Sequence, residues 1–153
     1  MKMNDKSNSA RFRKLVSSKI MFRLFLLKDL PMAFVAGIRV KEITEEKAVI
    51  TIPYKFLTKN PFRSMYFACL SMAAELSTGL LCAEAAYGLK PKISTLVLGL
   101  KGNFSKKARG LITFTCNDGK AIARAVHESI STGEGKTFTA TSIGIDESGE
   151  QVC

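Results

Sequence analysis

The chain predicts an α+β fold: a long helix buried on most sides, wrapped by a curved antiparallel sheet, with an additional N-terminal helix ahead of it. Three observations lead there. Residues 64–87 are apolar almost all the way round a helical wheel, which a surface helix is not. Strand-like runs lie on both sides of that segment, at 38–53 before it and at 93–105, 110–116 and 137–146 after it. Finally, 153 residues without a linker or internal repeat make one ordinary domain with room for a real core.

The elements follow in order. Residues 1–8 are polar and read as a disordered tail, leaving 9–153 as a single domain. From 9 to 29, Phe12, Leu15, Val16, Ile20, Phe22, Phe25 and Leu26 recur at helical spacing between basic residues. Pro31 disfavours a helical Leu30 and closes that helix. Its basic polar face leaves two readings, a helix packed over a sheet edge or channel mouth, which is preferred, and a membrane-surface helix. Val49 and Thr51 alternate with Ile50 and Ile52, so 38–53 reads as a hairpin that Pro53 ends. Asn60-Pro61 marks a loop. Ser64 is placed to cap the start of the central helix and Gly88 its end. Residues 120–130 have some helical character, and the chain stops at Cys153 where a further strand has barely begun, as a shortened final strand would.

Composition narrows the partners. Twenty-three basic residues against 13 acidic give a formal charge of +10, which favours an anionic partner or simply a solubilising surface. The basic residues cluster loosely at 11–14, 55–59 and 101–109 without the pattern of a helix-turn-helix, zinc finger or aromatic RNA-binding motif. Nucleic acid is therefore not expected. The apolar run 20–37 is broken by Arg23, Lys28, Asp29 and Pro31, which argues against a membrane span there. Four cysteines, Cys69, Cys82, Cys116 and Cys153, are widely spaced, and His127 is the single histidine, so free thiols in a reducing cytoplasm are expected and no metal site is.

Only Glu75 and Glu84 are charged within the central helix. At about 100° per residue they face opposite sides, and Glu84, nearer the end, is the one expected to point outwards. Glu75 lies mid-helix between Ser71 and Thr78, which share its face at spacings of four and three. A carboxylate in apolar surroundings has a partner or a purpose, and desolvation raises its pKa towards working pH. The plain alternative is a solvent-facing or salt-bridged Glu.

The segment Asn60-Pro61-Phe62-Arg63-Ser64-Met65-Tyr66-Phe67-Ala68, followed by Ala73-Ala74-Glu75, resembles the central-helix motif of hotdog-fold acyl-coenzyme A thioesterases. Those relatives carry a loop Asn, a His-Gly-Gly turn and an acidic residue about nine positions after the His. Here Asn60 and Glu75 stand at the Asn and acidic positions, and Tyr66-Phe67-Ala68 replaces His-Gly-Gly. Pro-Tyr-Lys-Phe at 53–56, Lys-Asn-Pro-Phe at 59–62, Ser-Met-Tyr-Phe-Ala at 64–68, Ala-Ala-Glu-Leu at 73–76 and Phe-Ser-Lys-Lys-Ala at 104–108 resemble an uncharacterised, thioesterase-like hotdog subfamily, so the likeness covers most of the chain.

The resemblance implies hydrolysis of an acyl thioester at a subunit interface. Backbone N–H groups of Phe67 and Ala68 would hold the thioester oxygen, Glu75 would activate water or attack the carbonyl, and Asn60 would orient either one. Tyr66 is either a hydroxyl donor or a packing aromatic. Ser71 and Thr78 belong to the substrate site, on the neighbouring chain's half of it. Lys101, Lys106, Lys107 and Arg109 are candidates to meet coenzyme A phosphates, or a solvated basic turn. No cofactor is implied beyond coenzyme A as part of the substrate, and the relatives' assemblies imply a homodimer or homotetramer. A binding module that holds an acyl chain or acyl-coenzyme A without turnover is the alternative. Charge-driven nucleic-acid or membrane binding ranks last.

Overall fold

The computed structural model describes residues 2–153. Three helices come first: α1 (Lys2–Ser17), α2 (Lys19–Asp29) and α3 (Pro31–Ala36). Strands β1 (Arg39–Ile43) and β2 (Ala48–Pro53) follow, then a 3-10 turn (Phe56–Thr58), and then the central helix α4 (Phe67–Ala86). Strand β3 (Leu111–Cys116), helix α5 (Gly119–Thr132) and strand β4 (Ser142–Ile145) complete the chain. The strands form one antiparallel sheet in the order β1-β2-β3-β4.

Helix α4 packs on β2, β3 and β4. Ile50 pairs with Phe114 and Ile52 with Ile112, and these four side chains are fully buried in one core with Leu70, Ala73, Leu76 and Leu80 of α4. Strand alternation places the β-residues on one face, and the helical repeat places the α4 residues opposite. Gly144 pairs with Phe114, and a Cβ there would come within 2.6 Å of its ring, so this glycine makes room for the largest fully buried side chain. Ser77, buried in α4, shares a 2.7 Å hydrogen bond with Ser142 of β4. By length and composition α4 would also suffice to cross a membrane; in this fold it is the core helix.

Several expectations are corrected. The tail expected at 1–8 is helical from Lys2, because a helix anchored by Phe12 and Val16 propagates back more easily than it starts. The single helix expected over 9–29 is broken at Ser18, whose extended backbone suits a residue of low helix propensity. The helix over 119–132 is complete rather than partial, burying Ile122 and Val126 against α4. The strand expected at 93–105 has no regular secondary structure, and that at 137–146 is reduced to β4. Strand propensity becomes a strand only where a ladder partner exists, and this single chain supplies none for 93–104. The C-terminal turn does lead back to the sheet: Gln151 bridges Ile145, and the Val152 amide donates to the Gly144 carbonyl at 2.9 Å.

Candidate functional site

The start of α4 is built by the loop before it. Asn60 Nδ2 donates to Ser64 Oγ (3.0 Å) and to the Met65 carbonyl (3.2 Å), while its Oδ1 accepts from the amides of Phe62 (2.9 Å) and Ser64 (3.2 Å). Both ends of the Asn60 amide are thus spent on the loop's own turn. Ser64 is held inside that turn, and Tyr66 rather than Ser64 occupies the position that caps α4. No side chain caps the helix. Cys69 and Leu70 donate to the Tyr66 carbonyl, leaving the amides of Phe67 and Ala68 with no acceptor among the described residues. Free helix-start amides of this kind attract a partial negative charge.

A cleft of about 500 Å³ opens beside the start of α4, lined by Asn60, Tyr66, Phe67, Phe104 and Lys107 among others. Its wall is aromatic: Tyr66 meets Phe67 edge-on at 5.0 Å between centroids, and Phe67 meets Phe104 at 6.1 Å. The basic residues near it divide. Lys106 is held by Asp146 (2.8 Å) and Glu150, so it is not a free charge for a phosphate, and Asp146 in return is kept far below the usual carboxylate range. Lys107 is exposed and has no carboxylate in ion-pair range among the described residues. Arg109 donates from Nε to the Arg63 carbonyl at 3.0 Å.

Glu75 lies elsewhere along the helix. It lines a second cleft of about 200 Å³ with Met72 and Leu76 of α4 and residues 29–33. Its carboxylate has no hydrogen-bond or ion-pair partner among the described residues. One side is open to solvent, and the apolar wall on the other pushes its pKa above the ordinary carboxylate value. Ser71 is half-buried on the same face, and Thr78 Oγ1 donates to the Glu75 carbonyl at 2.8 Å. The orientation of the two helix carboxylates is the reverse of that expected. Glu84 points inwards, buried and ion-paired to Arg13 of α1, because a basic residue far away in sequence meets it there.

Sequence reasoning missed Gly79. A Cβ at this position would stand 3.1 Å from Glu75 Oε1, so the carboxylate folds over the one helix position that has no side chain. Glycine inside a helix is unfavourable by about 1 kcal/mol against alanine, and its place four residues after Glu75 was the available signal. Phe104 was also missed as a site residue. Its contact with Phe67 spans a long loop and leaves no local pattern.

No family model and no curated protein matches the chain. Solved structures do. A Pseudomonas aeruginosa protein of unknown function, a probable thioesterase, superposes with a TM-score of 0.72 at 20% identity, covering 90% of this chain and 91% of its own. A Haemophilus influenzae thioesterase gives 0.60 at 11% identity, with 90% and 87% covered. The Escherichia coli PaaI protein from the phenylacetic acid degradation operon gives 0.60 at 12% identity, with 90% and 88% covered. These likenesses run almost end to end in both directions, and the chain has the hotdog fold of thioesterase-like proteins.

Proposed function

We propose that this chain hydrolyses acyl thioesters of the acyl-coenzyme A type, with Glu75 as general base in a site completed by a second copy. The observation that carries the proposal is the unpartnered, partly desolvated Glu75 carboxylate on an open stripe of the core helix. A carboxylate so placed takes up a proton more readily than one in water.

Geometry supports the need for a second copy. The rise from Phe67 to Glu75 is about 12 Å along the helix axis. A general base acts within about 3 Å, or through one water, so Glu75 is out of reach of a carbonyl held by its own chain's Phe67 and Ala68 amides. Two copies whose α4 helices run antiparallel, stripe against stripe, would bring one chain's Glu75 to the other's helix start. The segment 93–104 suits such an assembly: Leu96, Val97, Leu98 and Leu100 are highly exposed and their backbone is unpaired within the described chain.

In this scheme Glu75 removes a proton from water, and the oxygen bonds to the thioester carbon. The developing oxyanion is held by the Phe67 and Ala68 amides. The C–S bond then breaks, the thiolate takes the proton held by Glu75, and the carboxylic acid leaves. Asn60 acts as a positioning residue that shapes the turn, while Tyr66 packs in the aromatic wall beside the acyl group. Ser71 and Thr78 sit with Glu75, and Lys107, which lines the cleft at the helix start, is a cation without a carboxylate partner among the described residues for a coenzyme A phosphate.

The second reading, a module that binds acyl-coenzyme A without hydrolysis, draws on one observation: Asn60 has no polar capacity left over for a water or carbonyl. Thiol release from a panel of acyl-coenzyme A substrates decides between them. Turnover by the wild type that drops by at least a hundredfold in Glu75→Gln supports the enzyme. Tight binding with no thiol release from either protein supports the module.

A further inference from the structure

Helix α2 has two apolar faces and the core uses only one. Phe22 and Leu26 point inwards and are buried. Ile20, Leu24 and Leu27, at the spacing that lines one face, are 74%, 56% and 53% exposed. Exposed apolar surface continues through Met32 and Val35 of α3, and the 3-10 turn that packs against α3 adds Phe56 and Leu57. So many exposed large apolar side chains on neighbouring elements are uncommon on a protein that meets only water.

The charges along α2 and its approaches are mostly basic, with the Glu75 cleft lying on the Met32 side. Between residues 9 and 37 the only acid is Asp29, against Arg11, Arg13, Lys14, Lys19, Arg23 and Lys28. Arg13 is occupied by Glu84, and Arg23 lies over the Phe34 ring at 3.7 Å. Lys14, Lys19 and Lys28 have no carboxylate in ion-pair range among the described residues. Lys19 and Lys28 stand immediately before and after the stripe, where their long stems can lie along it with the ammonium groups outwards.

We propose that the outer face of α2 docks on an anionic lipid surface, lying in the plane of the membrane. At 11 residues α2 is about 16 Å long, too short to span a bilayer but suited to lie in its interface. Charge complementarity selects this occupant. A second copy would set the same uncompensated lysines against each other, whereas anionic headgroups neutralise them while the acyl layer takes up Ile20, Leu24 and Leu27.

The test is co-sedimentation of the full chain with vesicles of phosphatidylcholine alone and of phosphatidylcholine mixed with phosphatidylglycerol. The wild type should sediment with the mixed vesicles only, and release as salt approaches about 0.5 M. Lys19→Gln with Lys28→Gln should lower that affinity roughly thirtyfold, and Ile20→Glu with Leu24→Glu at least tenfold. All four side chains are exposed, so circular dichroism should show the fold kept; if the glutamate variant does not fold, the lysine pair decides. No binding to mixed vesicles, or equal binding by wild type and lysine variant, overturns the proposal. So does a wild-type oligomer that dissociates in the glutamate variant without any vesicle binding, since the stripe then belongs to a second copy.

Discussion

Glu75 and Glu84 leave the same helix on opposite sides, and their surroundings assign them different work. Glu84 is buried, and desolvation pushes its pKa up while the Arg13 guanidinium opposes that push. Its charge is accounted for by one contact that ties α1 to α4. Glu75 is also pushed up by its apolar neighbours, but no cation opposes the push. Its carboxylate lies at the mouth of a cleft, over a glycine. A paired buried charge holds structure together; an unpaired one at a cleft is available to a substrate. On an otherwise apolar helix, the position of one arginine separates the two roles.

The largest effects should fall on different measurements. Glu75→Gln is expected to cost about two to four powers of ten in thioester turnover, or about 3–5 kcal/mol of transition-state stabilisation, with folding intact. Arg13→Ala is expected to lower unfolding stability by about 3 kcal/mol, because it leaves the Glu84 carboxylate buried without its partner. This figure is at the lower end for such pairs since the Arg13 side chain is 22% exposed. Chemical denaturation of both variants checks the division. If Glu75→Gln unfolds the protein while Arg13→Ala does not, the two roles are the wrong way round.

Gly79→Ala sharpens the comparison with a smaller effect of mixed sign. Alanine gains about 1 kcal/mol of helix propensity, so the midpoint of denaturation should rise. The new methyl group would stand 3.1 Å from Glu75 Oε1 and turn the carboxylate from its present position. Turnover should therefore fall, in kcat more than in KM. Unchanged kcat with a raised midpoint would reduce Gly79 to an incidental residue.

Helix α4 was legible because its apolar residues cover the whole wheel, and β2 because Val49 to Ile52 is an unbroken β-branched run, buried on both faces. Glu75 stood out as a lone mid-helix charge. Which carboxylate faced outwards was not legible, since the answer lies with Arg13, 71 residues from Glu84. Lys106 was expected to be free for phosphate, yet Asp146 and Glu150 reach it from the far end of the chain. Residues 93–104 carry the composition of a strand, but no local pattern states whether a partner exists to pair with it. Composition reports what a segment prefers, and tertiary contacts from distant residues decide what it does.

The pH dependence of the two carboxylates tests the same division by its direction. A carboxyl whose pKa is higher folded than unfolded binds its proton more tightly in the native state, so stability falls as pH rises from the ordinary value, about 4.3, through the raised one. Glu75 in the wild type should show this loss, whereas Glu75→Gln cannot. The variant's thermal midpoint should thus match the wild type near about pH 4 and exceed it at neutral pH. Arg13→Ala should behave in the opposite sense. Without the guanidinium, Glu84 is pushed higher still, so this variant should be close to wild type in acid and fall further below it as pH rises. Melts of the three proteins from acid to neutral pH read both trends. A gap between Arg13→Ala and wild type that stays constant with pH would mean that Arg13 works by packing its stem rather than by its charge, and Glu84 would lose its place as the structural member of the pair.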